Sequence, residues 1–115
     1  MSNLPIIQKT YDFALWYIPI LNKLPRDHRF LLGDRIISGI YELLESLIQI
    51  QYEKEKLLCL KQLNGKLDVI RHQTRLLMDF KLLPLYRYNF ANQSINNIGR
   101  DLGGWIKQQQ QRISR

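Results

Sequence analysis

The sequence has little cysteine and no long hydrophobic run, and each absence excludes a class of protein. Cys59 is the one cysteine among 115 residues, so no disulfide can form within the chain. No apolar run approaches the roughly 18 residues that a membrane-spanning helix needs. The first residues, MSNLPIIQKTYDF, lack the basic segment and following apolar stretch of a secretory signal. We therefore expect a cytoplasmic protein that makes no contact with a membrane.

Histidine is also scarce, which argues against an enzyme. The two histidines are His28 and His72, and no Glu-x-x-His pair occurs, so a metal centre between facing helices would lack ligands. Neither histidine has a serine or cysteine within one helical turn, as a nucleophile with its base would require. No glycine-rich phosphate loop follows a predicted strand. We therefore predict no catalytic residue, no metal and no cofactor.

The positive charge is unevenly distributed along the chain. The net charge is +7, from 17 Lys and Arg against 10 Asp and Glu. Residues 1–57 carry seven of each sign, whereas residues 58–115 carry ten positive and three negative side chains. This asymmetry indicates a polyanionic partner for the second half, such as RNA or DNA. A basic surface that serves only solubility is the alternative.

Apolar residues recur with helical spacing in four segments, and no segment shows the two-residue alternation of a strand. The predicted helices cover about 5–23, 28–51, 55–83 and 86–111. The apolar stripe of the third helix stays in phase across Gly65, which favours one helix there and not a hairpin. Four long helices with short connections predict an all-α protein, a single up-down-up-down four-helix bundle domain spanning residues 1–115. Asn3 is a possible cap for the first helix.

The cations of the third and fourth helices are the candidates for nucleic-acid binding. Arg71 and Arg75 are four residues apart and share a helix face. Asp68 and Asp79 lie within pairing distance along the same helix, so a solvated face crossed by ion pairs is the alternative. Two aspartates are too few to neutralise the surrounding cations. The candidate nucleic-acid-binding residues are Lys61, Lys66, Arg71, Arg75, Arg87, Arg100, Lys107 and Arg112.

The stretch LPRDHRFLLGDRI, residues 24–36, predicts the turn between the first two helices. Pro25 ends the first helix, and Asp27 is the expected N-cap of the second. The apolar side chains expected to enter the core are Phe30, Leu32 and Ile36. The cationic side chains that folding does not explain become candidates for a partner or subunit interface: Arg26, His28, Arg29 and Arg35.

Glycines in the fourth helix form a second candidate interface. A glycine inside a helix costs roughly 1 kcal/mol relative to alanine, yet the helical pattern continues to Trp105. Small residues spaced by four would let another backbone approach closely, within the bundle or between subunits. The alternative is a helix that ends at Gly103 in a C-cap. The candidates are Gly99, Gly103, Gly104 and Trp105.

Aromatic residues beside the basic half extend the list of interface candidates. Most aromatic side chains of a small bundle are expected in its core. Tyr86, Tyr88 and Trp105 flank the basic half and could instead mark a surface for a partner, where Tyr, Trp and Arg are favoured.

Three sequence blocks together carry a resemblance to a known family. They are KTYDFALWYIP (9–19), LPRDHRFLLGDRI (24–36) and IGRDLGGWIK (98–107). In their order and spacing they resemble the accessory variability determinant (Avd) proteins of diversity-generating retroelements. The matched positions are Pro25, Arg26, His28, Arg29, Phe30, Gly33, Asp34, Arg35, Gly99, Arg100, Gly103, Gly104 and Trp105. Asp27 stands where the family has smaller polar residues, and aspartate remains a good cap.

The resemblance implies both a fold and a function. Avd proteins are four-helix bundles that assemble as ring-like homopentamers and are not enzymes. They bind the reverse transcriptase of the element and its RNA, and they support mutagenic retrohoming, the error-prone copying of a template repeat into a variable one. Five copies of this chain would together carry about +35, since charge adds over the subunits.

Two other functions are compatible with the sequence. The four-helix proteins encoded in ribosomal-RNA intervening sequences share the bundle but lack the GGW ending, and they have no reverse-transcriptase partner. A protein–protein adaptor would use the same positive charge on an acidic partner and would bind no nucleic acid.

Overall fold

The computed structural model describes residues 4–114, which form four helices and no strand. Helix α1 is Pro5–Asn22, and α2 comprises three consecutive segments, Arg26–His28, Arg29–Gly33 and Asp34–Ile50. Helix α3 is Leu57–Asp79 and α4 is Leu85–Ser114. None of these helices is both long and apolar enough to cross a membrane.

Neighbouring helices run antiparallel, and contacts between side chains show this directly. Lys9 near the start of α1 pairs with Asp101 in the second half of α4, at 2.9 Å. Further along α1, the centre of the Trp16 ring lies 4.5 Å from the centre of the Phe90 ring, near the start of α4. Each helix packs against the next, and α4 packs back on α1. The result is an up-down-up-down bundle of 51 × 22 × 22 Å.

The core is built from the apolar stripes that the spacing predicted. Each helix contributes one buried row, and full burial of such a side chain is worth about 1.5–3 kcal/mol. In α2 the row is Ile36, Ile40, Leu43, Leu47 and Ile50. In α3 it is Leu60, Leu63, Leu67, Ile70, Thr74 and Leu77. In α4 it includes Ala91, Ile95, Ile98 and Leu102.

The start of α2 differs from the expected cap. Pro25 occupies the N-cap position with extended backbone, so the helix begins at Arg26, two residues earlier than a cap at Asp27 would place it. The N-cap prediction for Asp27 is therefore wrong. The aspartate lies in the first helical turn, where a negative charge still complements the helix dipole. Asn3, the possible cap of α1, lies outside the described residues.

The segment Arg29–Gly33 is a π-helical turn inside α2. Gly33 is buried at its end, and a Cβ there would lie 3.3 Å from Leu24 Cδ1. Phe30 is 55% exposed, so the expectation that its ring enters the core is wrong. The π turn changes the phase of the helix at this point, and Ile36 enters the core after it.

Helix α3 ends at Asp79, about four residues before the expected position. Lys81 has a positive φ of 62°, and the amide of Leu82 donates to the carbonyl of Leu77 at 2.8 Å. This is a Schellman termination with lysine where glycine is usual. Because the usual glycine is absent, the sequence did not mark this stop.

Interior glycines do not end the helices that contain them. Helix α3 continues through Gly65, and α4 continues through Gly103 and Gly104 as far as Ser114. The alternative in which the fourth helix stops at Gly103 is therefore wrong.

Candidate nucleic-acid and partner interfaces

Three of the candidate cations on α3, Lys66, Arg71 and Arg75, have carboxylate partners. Lys66 pairs across the helix interface with Glu42 of α2. Arg71 points to the other side of α3, where its guanidinium lies 2.8 Å from the carboxylate of Asp68 and 3.3 Å from the amide oxygen of Asn96 in α4. Lys66 and Arg71 therefore belong to different surfaces of the bundle.

The pairs within α3 follow the spacing noted in the sequence. Arg71 pairs with Asp68 three residues before it, and Arg75 Nε lies 3.7 Å from the carboxylate of Asp79 four residues after it. His72 Nδ1 lies 2.9 Å from the backbone carbonyl of Asp68. Such exposed ion pairs contribute about 0–1 kcal/mol each, so a phosphate can replace the carboxylate at little cost.

The other five candidate cations have no carboxylate within 4 Å in the part of the chain that the structure describes. Arg100 and Lys107 are seven residues apart on the outward face of α4, so they lie on one side of that helix. The five are Lys61, Arg87, Arg100, Lys107 and Arg112. Arg87 lies at the opposite end of α4 from Arg112, so the eight candidates do not form one continuous stripe.

The interface candidates at the start of α2 surround an exposed ring. The guanidinium carbons of Arg26 and Arg29 lie 5.9 and 5.2 Å from the centre of the Phe30 ring. The His28 ring lies 6.3 Å from that of Phe80, at the end of α3. Arg35 lies farther along α2, on an open groove between α2 and α3.

Further exposed aromatic residues lie at this end of the bundle. Tyr86, a candidate from the sequence, is 69% exposed, and Arg87 lies over its ring, 5.7 Å from the centre. Tyr88 instead packs against the core. Phe80 is 56% exposed and was missed by the sequence reasoning. Its position outside the buried row of α3 is the signal that marks it as exposed.

The candidate glycines of α4 occupy two environments. A Cβ on Gly99 would touch Leu67 at 3.4 Å, so this glycine lies against α3 within the bundle. A Cβ on Gly103 or Gly104 would meet nothing within 4 Å. Trp105 is half-buried against the core and, with Gly104, lines a shallow groove beside the start of α1. Close packing within one chain therefore explains Gly99 and leaves Gly103 and Gly104 unexplained.

Over residues 4–114, no group of three or more His, Cys, Asp or Glu side chains could hold a metal ion. Cys59 is a half-buried free thiol near the start of α3, packed against the core.

A family model described as bAvd-like matches residues 4–109, which include most of all four helices and all three sequence blocks. A search of curated proteins returns no match.

Proposed function

Because the chain belongs to the bAvd-like family, we propose that it is a non-catalytic accessory protein of a diversity-generating retroelement. In this role it binds the reverse transcriptase of the element and its template RNA or DNA, and it supports mutagenic retrohoming. The match over residues 4–109 carries the proposal, since it covers nearly the whole chain.

The distribution of charge supports a nucleic-acid partner. Five of the eight candidate cations have no carboxylate within reach among the described residues, and three make only exposed ion pairs. Phosphates can contact the first group directly and replace the carboxylates of the second. Each phosphate neutralised releases counterions, so binding will weaken steeply with added salt.

Assembly of several copies is part of the proposal, with a homopentamer as the expected form. Gly103 and Gly104 are exposed in a helix interior, where each glycine is costly, and a Cβ on either would meet no described atom within 4 Å. A second copy of the chain packed closely against Gly103 and Gly104 would account for both glycines. Trp105 beside them offers apolar area for such a contact.

A charge-reversal experiment tests the nucleic-acid part of the proposal. The variant Arg100→Glu/Lys107→Glu changes two exposed, unpaired cations on one face of α4. Lys54→Glu/Lys56→Glu is the matched control, because it changes the net charge equally in the loop before α3. Titration of labelled single-stranded RNA at several salt concentrations should show weaker binding for the α4 variant alone. The plot of log affinity against log salt has a negative slope, and the magnitude of that slope should decrease by about 1.4 for two lost phosphate contacts.

The outcomes separate the proposed function from its alternatives. An equal loss of RNA affinity in both variants means that only total charge matters and that the assignment of RNA binding to the α4 face is wrong. Absence of RNA and DNA binding by the unaltered protein favours the adaptor. Co-purification with the reverse transcriptase of the same element supports the retroelement role, and failure to co-purify while RNA binding persists favours the ribosomal-RNA-associated alternative.

A further inference from the structure

One end of the bundle brings exposed aromatic rings together with arginines. It is formed by the start of α2, the end of α3 and the start of α4, which the antiparallel arrangement places at the same end. We call it the arginine–aromatic end and define it as Arg26, Arg29, Phe30, Phe80, Tyr86 and Arg87. All three rings are more than half exposed.

The arginines are held against the rings and not against carboxylates. Arg26 and Arg29 both lie within 6 Å of the Phe30 ring centre, and Arg87 lies within 6 Å of that of Tyr86. None of these three arginines has a carboxylate within 4 Å among residues 4–114. Their charge is thus available to a ligand, and their contact with the rings orients each guanidinium.

The surrounding segments carry an excess of positive charge. Residues 22–34 and 75–90 together contain six Lys and Arg against three Asp. One of those aspartates, Asp79, already pairs with Arg75. An anionic ligand therefore complements this end, and the planar rings favour a ligand that also has flat apolar faces.

We propose that the arginine–aromatic end binds unpaired nucleotides, with bases stacked on Phe30 and Tyr86 and the phosphates beside the three arginines. Single-stranded nucleic acid offers both features, a flat base and a phosphate at each step. A duplex hides its base faces within the stack and cannot use the rings. This inference rests on the proposed function, since it names the kind of nucleic acid that one site of the accessory protein takes.

The π turn contributes to the site by presenting Phe30. It interrupts the α-helical phase between Arg29 and Gly33, and Phe30 and Leu31 lie exposed within it. Gly33 closes the turn against Leu24 and the carbonyl of Leu21. The ring is therefore exposed on a backbone that is anchored in the bundle, as a stacking platform requires.

The test compares two RNA probes on the full chain. The variant Phe30→Leu/Tyr86→Leu keeps apolar volume at two exposed positions and removes both aromatic faces. Tyr52→Leu is the control, because Tyr52 is 83% exposed in the loop at the other end of the bundle. The probes are an oligouridine of about 12 nucleotides, within the usual span of single-strand sites, and an RNA duplex of equal length.

The double variant should lose at least about tenfold in affinity for the oligouridine, since each stacked base contributes measurably. Its affinity for the duplex and its salt slope should stay close to those of the unaltered protein, because all three arginines keep their charge. Tyr52→Leu should bind both probes normally. Circular dichroism should show the same helical content in all three proteins.

Three results would overturn the inference. An unchanged affinity for oligouridine shows that the rings do not stack on bases. An equal loss for both probes shows that the substitutions act on general charge or folding. Loss of reverse-transcriptase co-purification with intact oligouridine binding assigns this end to a protein partner. If the unaltered protein binds neither probe, the proposed function fails as well. This outcome can be distinguished from the three results above, in which the unaltered protein binds RNA.

Discussion

The phenol of Tyr17 in α1 and the hydroxyl of Thr74 in α3 share a hydrogen bond of 2.9 Å across the buried centre of the bundle. Both side chains are fully buried, at 0% and 1% exposure. The two helices lie diagonally opposite each other, so this bond joins elements that are not neighbours around the bundle. It fixes the rotation of α1 relative to α3.

Tyr17→Phe should lower the free energy of unfolding by about 1 kcal/mol, because it removes this bond and leaves the Thr74 hydroxyl buried. The measurement is urea unfolding of Tyr17→Phe, Thr74→Val and the double variant. We expect the double variant to be less destabilised than the sum of the two single variants, since each substitution removes the same bond. Strict additivity would contradict a direct bond between them.

Alkaline pH should destabilise the protein through the same tyrosine. Burial raises the pKa of Tyr17 from 10.0 to about 12, although its hydrogen bond with Thr74 acts in the opposite direction. The folded state therefore holds the phenol proton more tightly than the unfolded state does. This preference of the folded state for the protonated phenol contributes to the free energy of unfolding. The contribution is fully present below pH 10 and is lost as the pH rises through 12, by up to about 3 kcal/mol.

The control for this pH dependence is Tyr17→Phe, which cannot titrate at that position. Every other titratable group is the same in both proteins, so the informative quantity is the difference between their unfolding free energies. That difference should be constant below pH 10, should fall above it and should then change sign, because the loss exceeds the starting difference. A constant difference up to pH 12 would contradict the raised pKa.

Alanine substitutions at three exposed helix glycines should separate folding from assembly. A Cβ on Gly65, Gly103 or Gly104 would meet nothing within 4 Å, so each change to alanine should stabilise the single chain by up to about 1 kcal/mol. Sedimentation should show that Gly103→Ala and Gly104→Ala reduce the mass of the assembly, whereas Gly65→Ala leaves it unchanged. Identical behaviour of all three would mean that no second copy packs closely against α4.

The buried rows of α2, α3 and α4 were predictable because a helix core repeats every three or four residues, and that repeat is visible in the sequence. The Arg71–Asp68 and Arg75–Asp79 pairs were predictable for the same reason. The Lys66–Glu42 pair was not, since it depends on how α2 and α3 pack.

Local irregularities account for the predictions that were wrong. Phe30 was expected in the core because its side chain is apolar, yet it lies in the π turn and is exposed. The end of α3 was placed too late because Lys81, and not glycine, takes the left-handed position. The arginine–aromatic end could not be predicted as a unit, because it joins segments of three helices that are far apart in the chain.

The π turn at Arg29–Gly33 also bears on how this family can vary in length. A π turn holds more residues than an α turn over the same stretch of helix. Deleting one residue here would restore ordinary α-helical winding, and Ile36 and Ile40 would still point into the core. A deletion elsewhere in α2 would rotate every later side chain by about 100° and turn the buried row toward water. Natural gain or loss of single residues in this helix is therefore expected to concentrate between positions 29 and 33.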